Sequence, residues 1–366
     1  MDNLTHSLLG LAAAEGAWRL SQRRILGARN NGKTGANPDM PPNLTFRGAL
    51  WLASFFANNF SDSDVFLHGL IPGRLGPLLQ HRGYTHTLAG VIPGVILTLL
   101  MVAGWLRLRP VPRKLSRDEW RWIAGVAVFG IFLHLFADSW NVYGTHPFWP
   151  VSKRWIYGDF FFIAEPWVWM TFIPALFHAS HGRDLPGKTG RAILLLLFVA
   201  ALCAIWGLGF VPPAIAALLT LYGAGLLAWF LRKRARREPG APISTSFVLL
   251  ALILATFFGF GAGARSTMKR VAAGFPRAKL HDAVLSPLPA DPLCWMVILV
   301  QTEPDPSGET AYVLRRGLYS AAPAVIPAER CISPRVITGL ARLVPVVAPG
   351  MVTAIASPQQ MYWQGE

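Results

Sequence analysis

The chain has 366 residues, room for about two domains, and its mean hydropathy of +0.39, 53% hydrophobic content and 14% charged content exclude an ordinary soluble fold, in which roughly 25% of residues are charged. Its formal charge of +15 raises nucleic acid as a partner, but in so apolar a chain the basic residues belong to cytoplasmic loops, and no nucleic acid is expected. The three cysteines form no CxxC, CxxCH or zinc-ribbon spacing, which excludes thiolate metal sites and c-type haem.

Taken in chain order, Met1-Asp2-Asn3 lacks the basic start of a signal peptide, so cleavage is not expected. Two short and rather polar segments follow, at about 4–20 with Glu15 and 47–61 with Asn58-Asn59; they read as tilted or half-buried helices inside a bundle. A span needs about 20 mainly apolar residues. Five or six stretches meet that length: 86–106, 121–143, 160–180, 191–209, 211–231 and 245–264. The Gly/Asn/Pro-rich stretch 27–43 reads as a loop. From about Thr267 the apolar runs shorten and prolines recur; Leu293–Val300 reads as a strand, 303–308 as a turn and 310–315 as its hairpin partner. The expected fold is an all-α polytopic bundle of about six to eight membrane segments over 1–265, followed by a small β-rich extracytoplasmic domain over 270–366. Cys294 and Cys331 can pair there if the region is periplasmic.

Lysine and arginine set the orientation. Six lie in 19–47, six in 107–121, three in 183–191 and five in 232–237, while 62–85 and 144–159 hold two each. One alternation of all eight segments satisfies this pattern, with both termini outside. It places the protein in the bacterial inner membrane with the ends near 81–86 and 138–143 on the periplasmic face.

At that face four separate elements carry metal-ligand chemistry: His6; Asp62 with Asp64; His81-Arg82-Gly83-Tyr84-Thr85-His86; and His134 with Asp138. Two carboxylates spaced as Asp62 and Asp64 share a side only in extended or loop backbone and repel unless a cation lies between them. His81 and His86 would stand about 140° apart on one helix, so Gly83 is read as a break that leaves His81 on a loop and His86 at a helix start. His134 and Asp138 share a helix face, and a carboxylate in an apolar helix costs at least about 2.5–3.5 kcal/mol unless it meets a partner. Singly, each has a structural reading as a cap, a turn or a buried His–Asp hydrogen bond. Together they make an N/O set suited to Zn²⁺ or Mn²⁺, with two or more ions accommodated. No HExxH occurs, which leaves a zincin protease unsupported.

On these residues the sequence resembles the YdjM-like family of membrane-bound metal-dependent hydrolases: Asp2-x-x-Thr5-His6-x-x-x-Gly10, Asp62-x-Asp64, His81-Arg82-Gly83-x-Thr85-His86 and His134-x-x-x-Asp138-x-x-Asn141-x-Tyr143-Gly144. Asp291-Pro292-Leu293-Cys294-Trp295 resembles the junction into the exported domain of longer members. That family is distantly similar to the zinc-dependent phospholipase C and P1 nuclease group, whose sites hold zinc through His and Asp. That group also uses a free terminal amine, for which Asp2 is the best substitute here, and Ser61 stands where YdjM-like relatives are expected to have proline.

The resemblance implies a phosphoesterase, with metal ligands His6, Asp62, Asp64, His81, His86, His134 and Asp138. Asp64 or Asp138 would orient the attacking water, Arg82 would pair with a phosphate oxygen, and Asn141 and Tyr143 would hold substrate. A site near the outer leaflet implies a lipid or lipid-linked phosphoester. Trp140, Trp149, Trp155, Trp167 and Trp169 read as an aromatic belt or as the flanks of a lipid entrance. Two other readings stand beside this one. The first is a non-catalytic, metal-stabilised scaffold whose C-terminal domain binds a protein partner, which predicts a closed site. The second is an ion-coupled transporter, which predicts charges at the midplane and broken helices.

Overall fold

The structure, a computed structural model, describes residues 1–30, 43–70, 82–108, 114–180, 185–235, 241–304, 310–331 and 361–364. Among these, helices α1 (Asn3–Asn30), α2 (Leu44–Phe60), α3 (Leu88–Arg107), α4 (Arg117–Asp138), α5 (Pro166–Ala179), α6 (Leu185–Gly207), α7 (Pro213–Ala235) and α8 (Ala241–Ala273) precede strands β1 (Lys279–Leu288), β2 (Asp291–Pro304), β3 (Thr310–Ser320) and β4 (Met361–Gln364). A 3₁₀ segment, Ser61–Leu70, continues from α2, and a single 3₁₀ turn, Tyr84–His86, leads into α3.

Local chemistry sets the helix starts. Asn43 accepts a hydrogen bond from the Phe46 amide, Thr87 from that of Gly90, and Ser116 with Glu119 forms a reciprocal capping box. Among the described residues five helices, α3, α4, α6, α7 and α8, are long and apolar enough to cross a membrane. That is fewer than the six to eight segments expected. The stretch 160–180 yields only the 14-residue α5, about 21 Å long against a hydrocarbon core of about 30 Å, because residues 160–165 stay non-helical until Glu165-Pro166 starts the helix.

The bundle has two connected halves. The buried Phe46, Ala49, Leu50 and Ala53 of α2 pack with Ala14 and Trp18 of α1, Val102 of α3 and Ile123 of α4. The almost wholly buried α5 forms the other centre, against α1, α6, α7 and α8. The two polar segments of the sequence thus lie inside the bundle as expected. Glu15, 3% exposed, receives hydrogen bonds from Arg19 Nε (3.0 Å), Arg47 Nε (2.9 Å) and Nη2 (2.8 Å) and Trp51 Nε1 (3.2 Å), while Arg47 Nη2 also donates to the Ala179 carbonyl (2.7 Å). This network ties α1 and the start of α2 to the end of α5.

At 33 residues α8 is about 50 Å long, about 20 Å more than a bilayer core, and its second half carries the sheet. The strands run in the order β1-β2-β3-β4, antiparallel except for the parallel β3/β4 pair. Alternation along β2 sends Trp295, Val297 and Leu299 onto Ala264, Met268 and Ala272 of α8, and Cys294 to the other face, where it forms a disulfide with Cys331 beside Leu288 and Leu318. The predicted hairpin is present as β2 and β3; its turn at 305–309 lies outside the described residues. The resemblance of 291–295 to a domain junction is corrected: the chain enters the sheet at Lys279, and Asp291 starts the second strand from a turn that docks on the bundle, with Trp167 Nε1 donating to the Ala290 carbonyl at 2.9 Å.

Candidate metal centre

Four helix ends meet at one end of the bundle: the start of α1, the end of α2, the start of α3 and the end of α4. They bring together Asp62, His86, His134 and Asp138, whose ligand atoms lie within 4.8 Å of one another. His86 Nε2 is 3.2 Å from His134 Nε2, 3.4 Å from Asp62 Oδ1 and 3.3 Å from Asp138 Oδ2. His134 Nε2 is 3.6 Å from Asp62 Oδ1 and 3.4 Å from Asp138 Oδ2. His86, His134 and Asp138 are fully buried, and Asp62 alone of the four is partly exposed.

The surroundings fix which nitrogen of each ring faces this centre. His134 Nδ1 lies 2.6 Å from the Asn58 carbonyl, which can only accept, so Nδ1 donates and the neutral ring turns a lone pair on Nε2 inward. His86 Nδ1 lies 3.2 Å from Asp64 Oδ2, with the same consequence. Two lone pairs at 3.2 Å, flanked by two carboxylates, repel unless a cation or a proton lies between them. Burial opposes a charge on His86, but the carboxylates of Asp138, Asp62 and Asp64 around it outweigh that and push its pKa up to about 10; this is a site that holds a positive charge. The buried Asp62 Oδ2 and Asp138 Oδ2 accept no hydrogen bond from the protein. The donor set and its orphaned oxygens fit a divalent cation.

The other sequence-predicted residues take places around this set. His6 stacks on His134 with centroids 3.8 Å apart and brings Nε2 to 3.2 Å from Asp138 Oδ1. The main-chain nitrogen of Met1 also lies against Asp138 Oδ1. Asp2 does not substitute for an amine ligand: its carboxylate caps α1, accepting from the Thr5 amide (3.0 Å) and hydroxyl (2.5 Å). Asp64 stands behind His86 and also accepts from the Arg82 amide at 2.6 Å. His81 lies outside the described residues.

Arg82 is buried and adopts left-handed backbone, φ 60°, a conformation costing about 1–3 kcal/mol for a non-glycine residue. That geometry aims its amide at Asp64 and its guanidinium at Asp138: Nη2 is 3.1 Å from Asp138 Oδ1, while Nη1 donates to Asn141 Oδ1 (3.2 Å) and the Gly144 carbonyl (2.5 Å). Its Nε is buried without a partner. Asn141 is fully buried, and the exposed Tyr143 lies under the guanidinium at 5.4 Å.

Of the tryptophans, Trp140 is buried, Trp167 bonds to the sheet turn and Trp169 donates to Thr5 Oγ1 at 3.0 Å. Trp149 packs edge-on against the exposed Tyr84, and Trp155 is exposed. Sequence reasoning missed the Asn58 carbonyl, which carries no side-chain signature, and His146, which stands alone between Thr145 and Pro147.

The sheet sits at this same end. Arg265 of α8 pairs with the buried Asp159 at 2.7 Å, and Tyr157 lies 3.4 Å from Asp282 of β1. The loop that begins at Asp138 therefore ends against the sheet.

The family described as YdjM inner membrane protein matches residues 1–216, which include every element of the centre. The "Uncharacterized protein YfhP" of Bacillus subtilis (strain 168) is 23% identical over 173 residues, 47% of this chain. The match covers 49% of that relative, so the chain spans about half the length of the curated protein it matches. No solved structure matches.

Proposed function

Because this chain belongs to the YdjM inner membrane protein family, we propose that it is a membrane-bound, metal-dependent phosphoesterase, resembling phospholipase C in its chemistry. It acts on a lipid or lipid-linked phosphoester at the outer face of the inner membrane. The observation that carries the metal is the set of five separations, 3.2–3.6 Å, among the four ligand atoms. A tetrahedral ion with bonds of about 2.0–2.1 Å separates its ligands by about 3.3–3.4 Å, which favours Zn²⁺.

An ion held by Asp62, His86, His134 and Asp138 would supply Lewis acidity and lower the pKa of a water. The chain does the rest. Asp64 and the Asn58 carbonyl hold the two imidazoles in the ligating tautomer. Arg82 balances the charge of Asp138 and offers its unpartnered Nε to a substrate oxygen. Asp62, the one partly exposed member, marks the side from which substrate arrives. Exposed Phe66, Tyr84, Tyr143, Phe148 and Trp155 lie on the segments that carry the site. They suit a substrate drawn from a bilayer, since apolar surface of this kind partitions into lipid. The Cys294–Cys331 disulfide supports a periplasmic location for this end.

A scaffold with a structural ion is favoured by one observation, that four protein ligands suffice to close a tetrahedral site. One experiment separates the two. Metal content of the wild-type protein, His86→Ala and Asp138→Ala is measured alongside hydrolysis of a phospholipid panel. Zinc and a metal-dependent phosphoesterase activity lost together in either variant support the enzyme. Zinc without activity on any member of the panel supports the scaffold, and a wild-type protein that takes up no metal when resupplied removes both.

A further inference from the structure

His146 lies on a short segment tied at both ends to the stretch that carries Arg82 and His86. The preceding Gly144 carbonyl accepts from Arg82 Nη1 at 2.5 Å, and the following Pro147 carbonyl accepts from the Leu88 amide, two residues past His86, at 2.8 Å. Gly144 makes this path available. Its φ is +60°, and a Cβ there would stand 2.6 Å from the Ile156 carbonyl oxygen. Thr145 and Ile156 then exchange two backbone hydrogen bonds, 2.8 and 2.7 Å, and this pairing brings the indole of Trp155 to 4.4 Å from the His146 ring.

The imidazole is therefore fixed in position, yet it holds nothing. It is half-buried where the histidines of the centre are fully buried, and its Nδ1 is enclosed without a hydrogen-bond partner. It is not among the four atoms that surround the ion position. A ring packed on Trp155, on a segment bonded to Arg82, partly reached by solvent and with Nδ1 lacking a hydrogen-bond partner, suits a group whose partner arrives with the ligand. Burial holds its pKa below the ordinary histidine value, which makes its charged form a ready proton donor.

We propose that His146 contacts the substrate and delivers the proton to the leaving-group oxygen. The proposal rests on the phosphoesterase reading above. In the step, the oxygen of a water forms a bond to phosphorus, and the bond from phosphorus to the leaving oxygen breaks with its electron pair passing to that oxygen. The oxygen takes a proton from the His146 imidazolium. The proton released by the water passes to solvent, and His146 is reprotonated from solvent.

Labelling, metal content and turnover read this role separately. Zinc-loaded wild-type protein in detergent is treated with diethyl pyrocarbonate with and without inorganic phosphate, and the labelled histidines are mapped by mass spectrometry; phosphate should slow labelling of His146 at least about fivefold. His146→Ala should keep its full zinc content and lose roughly 100-fold in cleavage of a dialkyl phosphodiester, the size of a general-acid contribution. It should cleave a p-nitrophenyl ester of the same acid within about threefold of wild type, because that leaving group departs without a proton. His146→Gln, which cannot donate a proton on the same terms, should behave like the alanine variant. Zinc loss in the variants, equal losses on both esters, or labelling indifferent to phosphate would overturn the role of His146 while wild-type turnover leaves the enzyme reading standing. A zinc-loaded wild type that cleaves neither ester overturns both.

Discussion

His86 and His134 are oriented as candidate ligands by groups outside the cluster of four. A carboxylate and a backbone carbonyl each take the Nδ1 proton, at 3.2 and 2.6 Å, and so aim Nε2 at the common centre. Asp64→Asn should leave the site able to bind zinc but weaken it about 10- to 100-fold, the usual loss when an orienting partner of a ligating histidine is removed, whereas His86→Ala should abolish binding; competition with a chromogenic chelator measures both. The same histidine sets the pH dependence. With no metal bound, His86 holds its proton up to about pH 10, and zinc must displace it. Between pH 6 and 8 the apparent zinc affinity should therefore rise about tenfold per pH unit for one competing proton. A flat profile in chelator competition would show that His86 carries no proton for the metal to displace.

Among the elements, α5 depends most on its surroundings. It is too short to span a bilayer and is covered by α1, α6, α7 and α8. Glu165, fully buried at its start, caps the Trp167 amide at 3.3 Å and accepts from the Ala290 amide of the sheet turn at 3.4 Å. Burial, together with the negative charges of Asp2 and Asp291, pushes its pKa up to about 8. The folded state thus holds a proton there that the unfolded chain releases near pH 4.5, and stability contributed by the protonated form is lost as pH rises from about 4.5 through 8. Glu165→Gln keeps the acceptor and removes the titration, so its melting temperature should fall less than that of wild type between pH 5 and 8. Equal slopes would place the pH dependence elsewhere. In α3, Gly94 faces Phe60 and Ile131 so closely that a Cβ would lie 2.6 Å from the first and 2.7 Å from the second. Gly94→Ala should cost about 1–3 kcal/mol through overpacking, read from thermal unfolding in detergent.

For the whole molecule, the metal centre and the sheet share one end of the bundle, and the Glu15–Arg47–Ala179 network lies toward the other. The distribution of lysine and arginine predicts that the first end faces the periplasm. An alkaline phosphatase reporter fused after Cys331 should then be active, and one fused after Arg234 inactive; the reverse pattern would turn the molecule over and place the centre in the cytoplasm. Reduction offers a second check, since the Cys294–Cys331 bond persists only in an oxidising compartment. Non-reducing mass analysis of protein taken directly from membranes should find the two cysteines joined.

The helices and the candidate ligands could be read from the chain because both leave local traces. A span must be apolar over about 20 residues to enter a bilayer, and Asp138 in an apolar helix demands a partner wherever it ends up. Charge alternation then assigned His6, Asp62, His86, His134 and Asp138 to one face before any contact was known. Local pattern could not show that residues 160–180 give only a short buried helix, since burial by neighbouring helices and burial in lipid select the same side chains. Nor could it separate Asp62, in the ligand set, from Asp64, two residues away and turned to hold His86 and Arg82. The Asn58 carbonyl and the setting of His146 were equally beyond it, because a backbone atom has no sequence signature and a lone histidine acquires meaning only from what surrounds it. Composition determined the membrane bundle and the candidate ligand types; packing of four helix ends decided which atoms converge within 4.8 Å, since that depends on contacts between residues as far apart as 62 and 138.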